Sequence, residues 1–108
     1  MVPETRERRR AQRYPMTLPL GVVRISRDDA DLAGRTRNLS SKGAYFVVTG
    51  HLEHGMAIEF FVTLQQGLGS TGDIRLRCRG HVLRLEKLDQ RDRLGVAATI
   101  DHYQFVHS

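Results

Sequence analysis

Two groups of residues in this chain have the types and spacing that suit an anionic, hydrogen-bonding ligand. The first is Arg9 and Arg13, in an N-terminal segment rich in arginine. A guanidinium group is a planar cation whose N–H donors fit phosphate oxygens and the O6 and N7 atoms of guanine. The spacing alone is weak evidence, because Arg6 and Arg10 share it. Arg9 and Arg13 are favoured because they come just before the first predicted strand.

The second group is Asn38, Ser40 and Gly43, in the segment Asn-Leu-Ser-Ser-Lys-Gly. Its amide and hydroxyl can hydrogen-bond a ligand, and they can also stabilise a turn by bonding to nearby backbone groups. Gly43 lacks a Cβ, which permits a positive φ or a close approach by another backbone. The segment has the form of an N-glycosylation site, which has no bearing on a cytoplasmic protein.

Positive charge is concentrated at the N-terminus. Residues 1–13 hold five arginines against two glutamates, a net charge of +3 out of the +5 of the whole chain. This segment has no apolar anchors, so we expect it to be flexible until a ligand orders it. A basic tail by itself binds any polyanion weakly, and the second group of residues is what favours a specific site.

The elements that position both groups are predicted to be β-strands. From about residue 16 onward apolar and polar residues alternate, and turn signals close each segment within roughly a dozen positions. The clearest segment places Ile74, Leu76 and Cys78 on one face and arginines on the other. The pattern predicts six strands, over residues 18–25, 33–39, 44–48, 56–64, 74–85 and 94–100.

Six short strands without helical periodicity predict an all-β fold. A closed or nearly closed six-stranded antiparallel β-barrel is favoured, because closure hides the strand edges. Leu83 directly follows Val82 and breaks the alternation, so a β-bulge is expected there. The predicted organisation is a flexible basic segment over residues 1–13, followed by one barrel domain over residues 14–108.

Taken in order, these residues resemble the PilZ domain family. The resemblance rests on Arg9-x-x-x-Arg13 before the first strand and on Asn38-x-Ser40-x-x-Gly43 at a turn between later strands. It continues through the segments Gly-His-Val-Leu-Arg in the fifth strand and Gly-Val in the last. The resemblance implies a barrel of the split-barrel type that binds cyclic di-GMP, a ring of two guanosines joined by two phosphodiesters.

By the family's pattern, Arg9 and Arg13 contact phosphate and the Hoogsteen edge of guanine. Asn38 and Ser40 hold a guanine against the barrel, and Gly43 supplies the turn. The resemblance therefore implies a receptor rather than an enzyme. We expect ligand binding to order the tail and to signal to a protein partner that the sequence does not identify.

Two further positions bear on the comparison with PilZ domains. Arg8 precedes the first motif arginine, and an arginine there accompanies binding of two stacked, intercalated cyclic di-GMP molecules in similar domains. Residues 101–108 are too short for the long helix that many PilZ domains carry after the barrel, so at most a short helical turn is expected. Tyr103, Phe105 and Val106 are then candidates to cap the barrel or to contact a partner.

Two alternatives stay open. The row of arginines at positions 75, 77 and 79 suits a basic barrel that binds single-stranded nucleic acid, although a solvated strand face is the commoner explanation. The chain could also be a PilZ-like module that contacts proteins without a ligand, against which the intact motifs argue. Nucleic acid is therefore an unfavoured partner.

Other classes of function have little support in the sequence. His51 and His54 lack further ligands at zinc-like spacing, so no metal or other cofactor is expected. No nucleophile lies in a recognisable catalytic arrangement, and the single cysteine, Cys78, sits in an apolar pattern that predicts burial. No apolar run reaches the ~20 residues of a membrane span, and no secretory signal is evident. The expected location is the cytoplasm.

Overall fold

The computed structural model describes residues 14–67, 72–89 and 91–107, and all regular structure in these ranges is β-strand. The eight strands are β1 (Tyr14–Pro15), β2 (Pro19–Ile25), β3 (Asp28–Leu39), β4 (Gly43–Thr49), β5 (Ala57–Gln65), β6 (Ile74–Lys87), β7 (Arg93–Thr99) and β8 (His102–His107). Strands β2 to β7 correspond to the six that the sequence predicts.

These six strands form a closed antiparallel barrel. Their order is β3-β2-β5-β6-β7-β4, and the barrel closes because β4 also pairs with β3. The two remaining strands lie outside this ring. β1 pairs with the end of β3, and β8 pairs with the first half of β6. The predicted all-β, six-stranded antiparallel barrel is confirmed.

The core is built from alternate residues of the six barrel strands, those whose side chains face inward. Two aromatic rings, Phe46 of β4 and Phe60 of β5, pack at its centre with their ring centroids 5.3 Å apart. Cys78 is fully buried beside them, as the alternation in β6 predicts, and burial raises the pKa of its thiol to about 12. The other fully buried apolar side chains are Val22, Val48, Val62, Val82 and Val96.

Bulges bend the strands enough to close the barrel. The register of β6 against β7 shifts between Val82 and Arg84, which confirms the bulge expected at this point. The extra residue, Leu83, is turned outward and is 48% exposed. β2 shows a similar shift between Val22 and Arg24 in its pairing with both neighbours. An extra residue increases the local twist, which is how long strands coil around a small core.

Strand β3 is longer than its apolar pattern predicts. It begins at Asp28 rather than near Ala33, because the tight turn at Ser26 and Arg27 sets Asp28 opposite Ile25. Ser26 takes a φ of 56°, the left-handed conformation that such short turns require. The start of β3 is held by hydrogen bonds to β2 while its side chains are mostly exposed. Its side-chain alternation, in which Ala30 and Leu32 are only half-buried between exposed neighbours, is therefore weaker than that of the core strands.

The C-terminal segment forms a strand, where the sequence allowed at most a short helical turn. β8 pairs with residues Ile74 to Arg79 of β6, and β7 pairs only with the later part of that strand, from Val82. Without β8, the first half of β6 would leave one edge unpaired. The aromatic and β-branched residues of β8 favour an extended conformation.

A single buried hydroxyl ties the segment before β2 to β3. Thr36 is fully buried, and its Oγ1 donates a hydrogen bond of 2.6 Å to the backbone carbonyl of Met16. The same oxygen accepts a hydrogen bond of 2.8 Å from the backbone N–H of Leu18. Backbone bonds on either side, from Thr36 N–H to Leu18 and from Met16 N–H to Arg37, complete the attachment. The chain entering the barrel is thus fixed against β3.

Replacing this hydroxyl by a methyl group tests the attachment. We predict that Thr36→Val lowers the free energy of unfolding by about 1 to 3 kcal/mol, because it leaves a carbonyl and an N–H without their partner in a partly buried position. Urea denaturation measures the change. The same substitution at the exposed Thr49 of β4 is the control and should cost less than about 0.5 kcal/mol. Equal effects at the two positions would contradict the role given to Thr36.

Candidate binding site

The turn between β3 and β4 is shaped by the hydroxyl of Ser40. Its Oγ accepts hydrogen bonds from the backbone N–H groups of Lys42 and Gly43, at 3.2 and 3.1 Å, and donates one to the Gly43 carbonyl at 3.2 Å. The Ser40 backbone N–H also donates to that carbonyl, at 2.9 Å. Ser40 therefore has the turn-stabilising role that the sequence left as one of two possibilities.

Gly43 is needed where β4 meets β7. Gly43 pairs with Thr99, and a Cβ at Gly43 would lie 2.9 Å from the backbone oxygen of Ala98. This distance is shorter than real Cβ contacts allow, and the obstacle is backbone, which cannot swing aside. Of the two reasons for glycine that the sequence offered, the close approach of another backbone is the one the geometry supports.

Asn38 faces outward beside this turn with an unsatisfied acceptor. Its Oδ1 is buried, and it has no hydrogen-bond partner among residues 14–67, 72–89 and 91–107. Asn38 pairs with Tyr45 of β4 on one side and with Pro15 of β1 on the other. A buried oxygen without a partner carries a cost of about 1 to 3 kcal/mol. A ligand that donates a hydrogen bond to it would remove that cost.

The N-terminal segment reaches this place through β1. Tyr14 pairs with Leu39 and Pro15 with Asn38, so the chain that follows Arg13 lies directly against the strand that carries the motif. The positions of Arg8, Arg9 and Arg13 fall outside the described residues, as does the expected flexibility of residues 1–13. The described chain nevertheless places the attachment point of the arginine segment beside Asn38.

An open cavity of about 670 Å³ lies next to Asn38 on the outer surface of the barrel. It is shaped by strands β3, β4, β6 and β7, and its polar wall suits a ligand with both charge and hydrogen-bonding edges. Besides Asn38, the lining residues are Tyr45, His54, Arg84, Leu85, Glu86 and Gly95. Arg84 of β6 adds a cation to the cavity. It lies on the side away from β3, the strand to which β1 is paired.

Sequence patterns did not single out the group formed by Tyr45, Glu86 and Gly95. The hydroxyl of Tyr45 donates a hydrogen bond of 3.0 Å to Glu86 Oε1. Its ring crosses Gly95 so closely that a Cβ there would collide with the hydroxyl end of the ring. Burial, followed by the interaction with Glu86, raises the pKa of Tyr45. The available signal was Gly95 inside an apolar strand, since such a glycine often marks a close approach.

The arginine row on β6 is engaged by neighbouring side chains. Arg77 Nε lies 2.7 Å and Arg79 Nε 3.4 Å from the carboxylate of Glu59, whose pKa is lowered chiefly by its hydrogen bond from Arg77. The guanidinium of Arg75 lies 4.6 Å from the centre of the Phe61 ring, a cation–π contact. Because Glu59 and Phe61 already contact these guanidinium groups, the three arginines have less uncompensated charge and fewer free N–H donors for a ligand.

The described part of the chain has neither a metal-binding cluster nor a membrane-spanning helix. No group of three or more His, Cys, Asp or Glu side chains within it is arranged to hold a metal ion. His51 instead lies 3.1 Å from the carboxylate of its neighbour Glu53. None of the described segments forms a helix with the length and apolar character needed to cross a membrane.

Comparison with known proteins gives one clear relationship. The family model described as PilZ domain matches residues 7–105, nearly the whole chain. The matched range includes both motifs, as well as the strand residues that line the cavity. No curated protein matches the sequence significantly. The family assignment therefore rests on the family model and on the residues described above.

The contact between Gly95 and Tyr45 gives a testable prediction. In Gly95→Ala the new methyl group displaces the ring, exposing Tyr45 and breaking its bond to Glu86. Its raised pKa should then fall towards the ordinary tyrosine value near 10. Ultraviolet titration follows the ionisation of the three tyrosines. In Gly95→Ala, Tyr45 should ionise at a lower pH than it does in the native protein.

The matched control is Gly21→Ala in β2, where a Cβ meets no atom within 4 Å. Its titration curve should match that of the native protein. If Gly95→Ala also leaves the curve unchanged, Tyr45 does not lie over Gly95 in solution.

Proposed function

The chain belongs to the PilZ domain family, and from this premise we propose that it is a receptor that captures cyclic di-GMP between its N-terminal arginines and the outer face of β3 and β4. The family is one of cyclic di-GMP-binding modules. The finer statements, which residues make the contacts and what binding causes, are our proposal.

The observation that carries the proposal is the pairing of β1 with β3. It brings Tyr14 and Pro15, which directly follow the arginine segment in the sequence, next to Asn38, whose buried Oδ1 lacks a donor among the described residues. Guanine offers donors at its amino group and ring N–H, while its O6 and N7 accept from a guanidinium fork. One guanine can therefore be held by Asn38 on one edge and by Arg9 or Arg13 on another. The second arginine is then available for phosphate.

Ser40 and Gly43 act differently from Asn38 in this proposal. The Ser40 hydroxyl donates its hydrogen bond to the Gly43 carbonyl and accepts hydrogen bonds from the backbone N–H groups of Lys42 and Gly43. Ser40 thus supports the ligand by holding the turn, and any direct contact with guanine would be in addition to those bonds. Gly43 lets β4 approach β7, which fixes the strand that carries Tyr45.

Energetic magnitudes are compatible with a specific site. Three or four charge-assisted hydrogen bonds contribute about 1.5 to 3 kcal/mol each, and stacking of a guanine base contributes about 1 to 3 kcal/mol more. Ordering the N-terminal segment costs roughly 2 to 5 kcal/mol. The balance allows a dissociation constant near micromolar, which corresponds to about −8 kcal/mol. Ordering of the segment creates a new surface, which is how the bound state would signal to a partner protein.

We propose a binding role without catalysis. PilZ domains are binding modules, and the residue with the most nucleophilic side chain, Cys78, is buried with a raised pKa. A thiol in that state is a poor nucleophile. The cavity beside Asn38 also presents groups suited to holding a ligand: a cation, an amide and an aromatic hydroxyl.

Single-stranded nucleic acid is the weaker candidate ligand. It would use the arginines of β6, and two of these are paired with Glu59 while the third lies over Phe61. The free energy lost when these contacts break would offset part of the free energy gained from contacts with phosphate. A role in protein contacts without any ligand leaves the unsatisfied Asn38 Oδ1 unexplained.

Titration calorimetry with cyclic di-GMP tests the proposal. We expect native protein to bind, with a preference of at least tenfold over cyclic di-AMP, because adenine has an amino donor in place of the O6 acceptor that a guanidinium group contacts, while N7 accepts in both bases. Arg9→Ala and Asn38→Ala should each weaken binding by tenfold or more, as the loss of one charged or buried hydrogen bond requires.

Arg27→Ala is the matched control, since Arg27 is exposed in the turn at the opposite end of β3. It should bind like the native protein. Absence of binding by the native protein would contradict the proposed function. Equal losses in Arg9→Ala and Arg27→Ala would indicate a general charge effect rather than a site.

The number of ligands depends on Arg8 in this proposal. We expect two intercalated cyclic di-GMP molecules per chain, and Arg8→Ala should reduce the measured ratio from two to one while retaining binding. Calorimetric stoichiometry, checked by sedimentation of the complex, measures the ratio. One ligand per native chain, with Arg8→Ala behaving identically, would contradict the two-ligand model.

A further inference from the structure

Strand β8 is an edge strand that carries none of the usual protections. Among the described strands it pairs with β6 alone. Its sequence, His-Tyr-Gln-Phe-Val-His, contains no Lys, Arg, Asp, Glu or Pro. Edge strands in stable monomers are commonly blunted by charges, prolines or bulges, because their free N–H and C=O groups otherwise pair with another chain.

Two aromatic side chains of β8 lie on the side of the sheet that faces the core. Tyr103 is opposite Cys78 and Phe105 is opposite Leu76, both inward-facing residues of β6. Because β8 extends past the closed ring, Tyr103 is still 53% exposed and Phe105 67% exposed. The two rings pack edge to face with their centroids 6.3 Å apart. This pair is ordered, apolar and uncovered.

The aromatic pair lines one wall of an apolar groove of about 280 Å³. Tyr14 and Met16, which are 55% and 39% exposed, lie on the opposite wall. The floor includes two buried core residues, Leu76 and Ile100. Most large exposed apolar side chains of the described chain thus meet at one place. Contiguous apolar patches of this kind mark association surfaces.

We propose that this surface binds a second copy of the chain, with β8 of each copy pairing antiparallel about a two-fold axis through Gln104. The two edge strands then satisfy each other's free backbone groups, and the two sheets become continuous. A two-fold interface of this kind uses the same patch on both subunits. The groove also includes Ser40 and Ser41 of the turn between β3 and β4, so this surface adjoins the proposed ligand site, although the inference does not rest on that ligand.

The sequence of β8 is self-complementary in this arrangement. With Gln104 opposite its own copy, Tyr103 of each chain lies opposite Phe105 of the other, on the same face of the sheet. Two aromatic cross-strand pairs therefore form at once, and such pairs stabilise antiparallel sheets. The two glutamine side chains lie side by side and can bond through their amides. No like charges meet along the paired strands.

The exposed aromatic side chains supply somewhat less than half of the area that a stable dimer buries. A fully buried aromatic side chain removes about 150 to 250 Å² from water, so covering the exposed parts of Tyr14, Tyr103 and Phe105 contributes roughly 350 Å² per chain. A stable interface needs about 800 Å² per partner. Six paired residues of backbone, together with Met16 and the rest of the groove, supply the remainder.

Sedimentation equilibrium tests the association. Native protein should form a dimer that dissociates at micromolar concentration, whereas Tyr103→Asp and Phe105→Asp should raise the dissociation constant at least tenfold. Both side chains are more than half exposed, so the variants should fold, and circular dichroism checks this. Leu83→Asp is the matched control, because Leu83 is 48% exposed on the far half of β6. It should remain dimeric. A native protein that is monomeric up to ~100 µM would overturn the proposal.

A cysteine cross-link tests the register. Residues directly opposite in an antiparallel pair have Cα atoms about 4.5 or 5.5 Å apart, within the range that a disulfide spans. Gln104→Cys, oxidised with diamide, should therefore give a covalent dimer on a non-reducing gel. The native Cys78 is buried and unreactive, so the introduced thiol is the one that responds. Leu83→Cys should stay monomeric on the gel. Equal cross-linking of both variants would contradict pairing through Gln104.

Discussion

The hydroxyl of Thr36 fixes where the chain enters the barrel, and the proposed site depends on that placement. Two hydrogen bonds from this one buried oxygen hold the backbone at Met16 and Leu18 against β3. β1 must then lie along the end of β3, with Pro15 opposite Asn38. The arginines that precede β1 are thereby attached within a few residues of the turn. A flexible binding segment gains affinity when its attachment point is fixed beside its target, because less freedom is lost on binding.

The turn that carries Ser40 and Gly43 and the cavity beside Asn38 depend on a few backbone contacts between neighbouring strands. Ser40 holds the turn, Gly43 lets β4 pack against β7, and the backbone of β7 at Gly95 supports the ring of Tyr45. Each of these contacts fixes the position of a strand, and none of them requires a contact with the ligand. In the proposed site the barrel therefore contributes the rigid floor, while the charges would come from the N-terminal segment.

Much of the fold could be predicted from the sequence, and the exceptions have physical causes. Six strands and the bulge at Val82 follow from side-chain alternation, since each has one buried face. Strand β8 does not alternate in burial, because hydrogen bonds rather than side-chain packing hold it. The start of β3 alternates only between exposed and half-buried positions, so its strand signal is weaker than that of the core strands. In the site, the motif residues were identifiable from their types and order. Tyr45 and Glu86 were not, because they meet only when β4 and β6 lie on either side of β7.

The central claim, that the N-terminal arginines and Asn38 close on the same guanine, is most directly tested by nuclear magnetic resonance of isotope-labelled protein. Adding cyclic di-GMP should shift the side-chain amide signals of Asn38, produce contacts between that amide and guanine protons, and slow the exchange of the Arg9 and Arg13 side-chain N–H groups. Unchanged Asn38 signals and rapidly exchanging arginine N–H groups at saturating cyclic di-GMP would contradict the account.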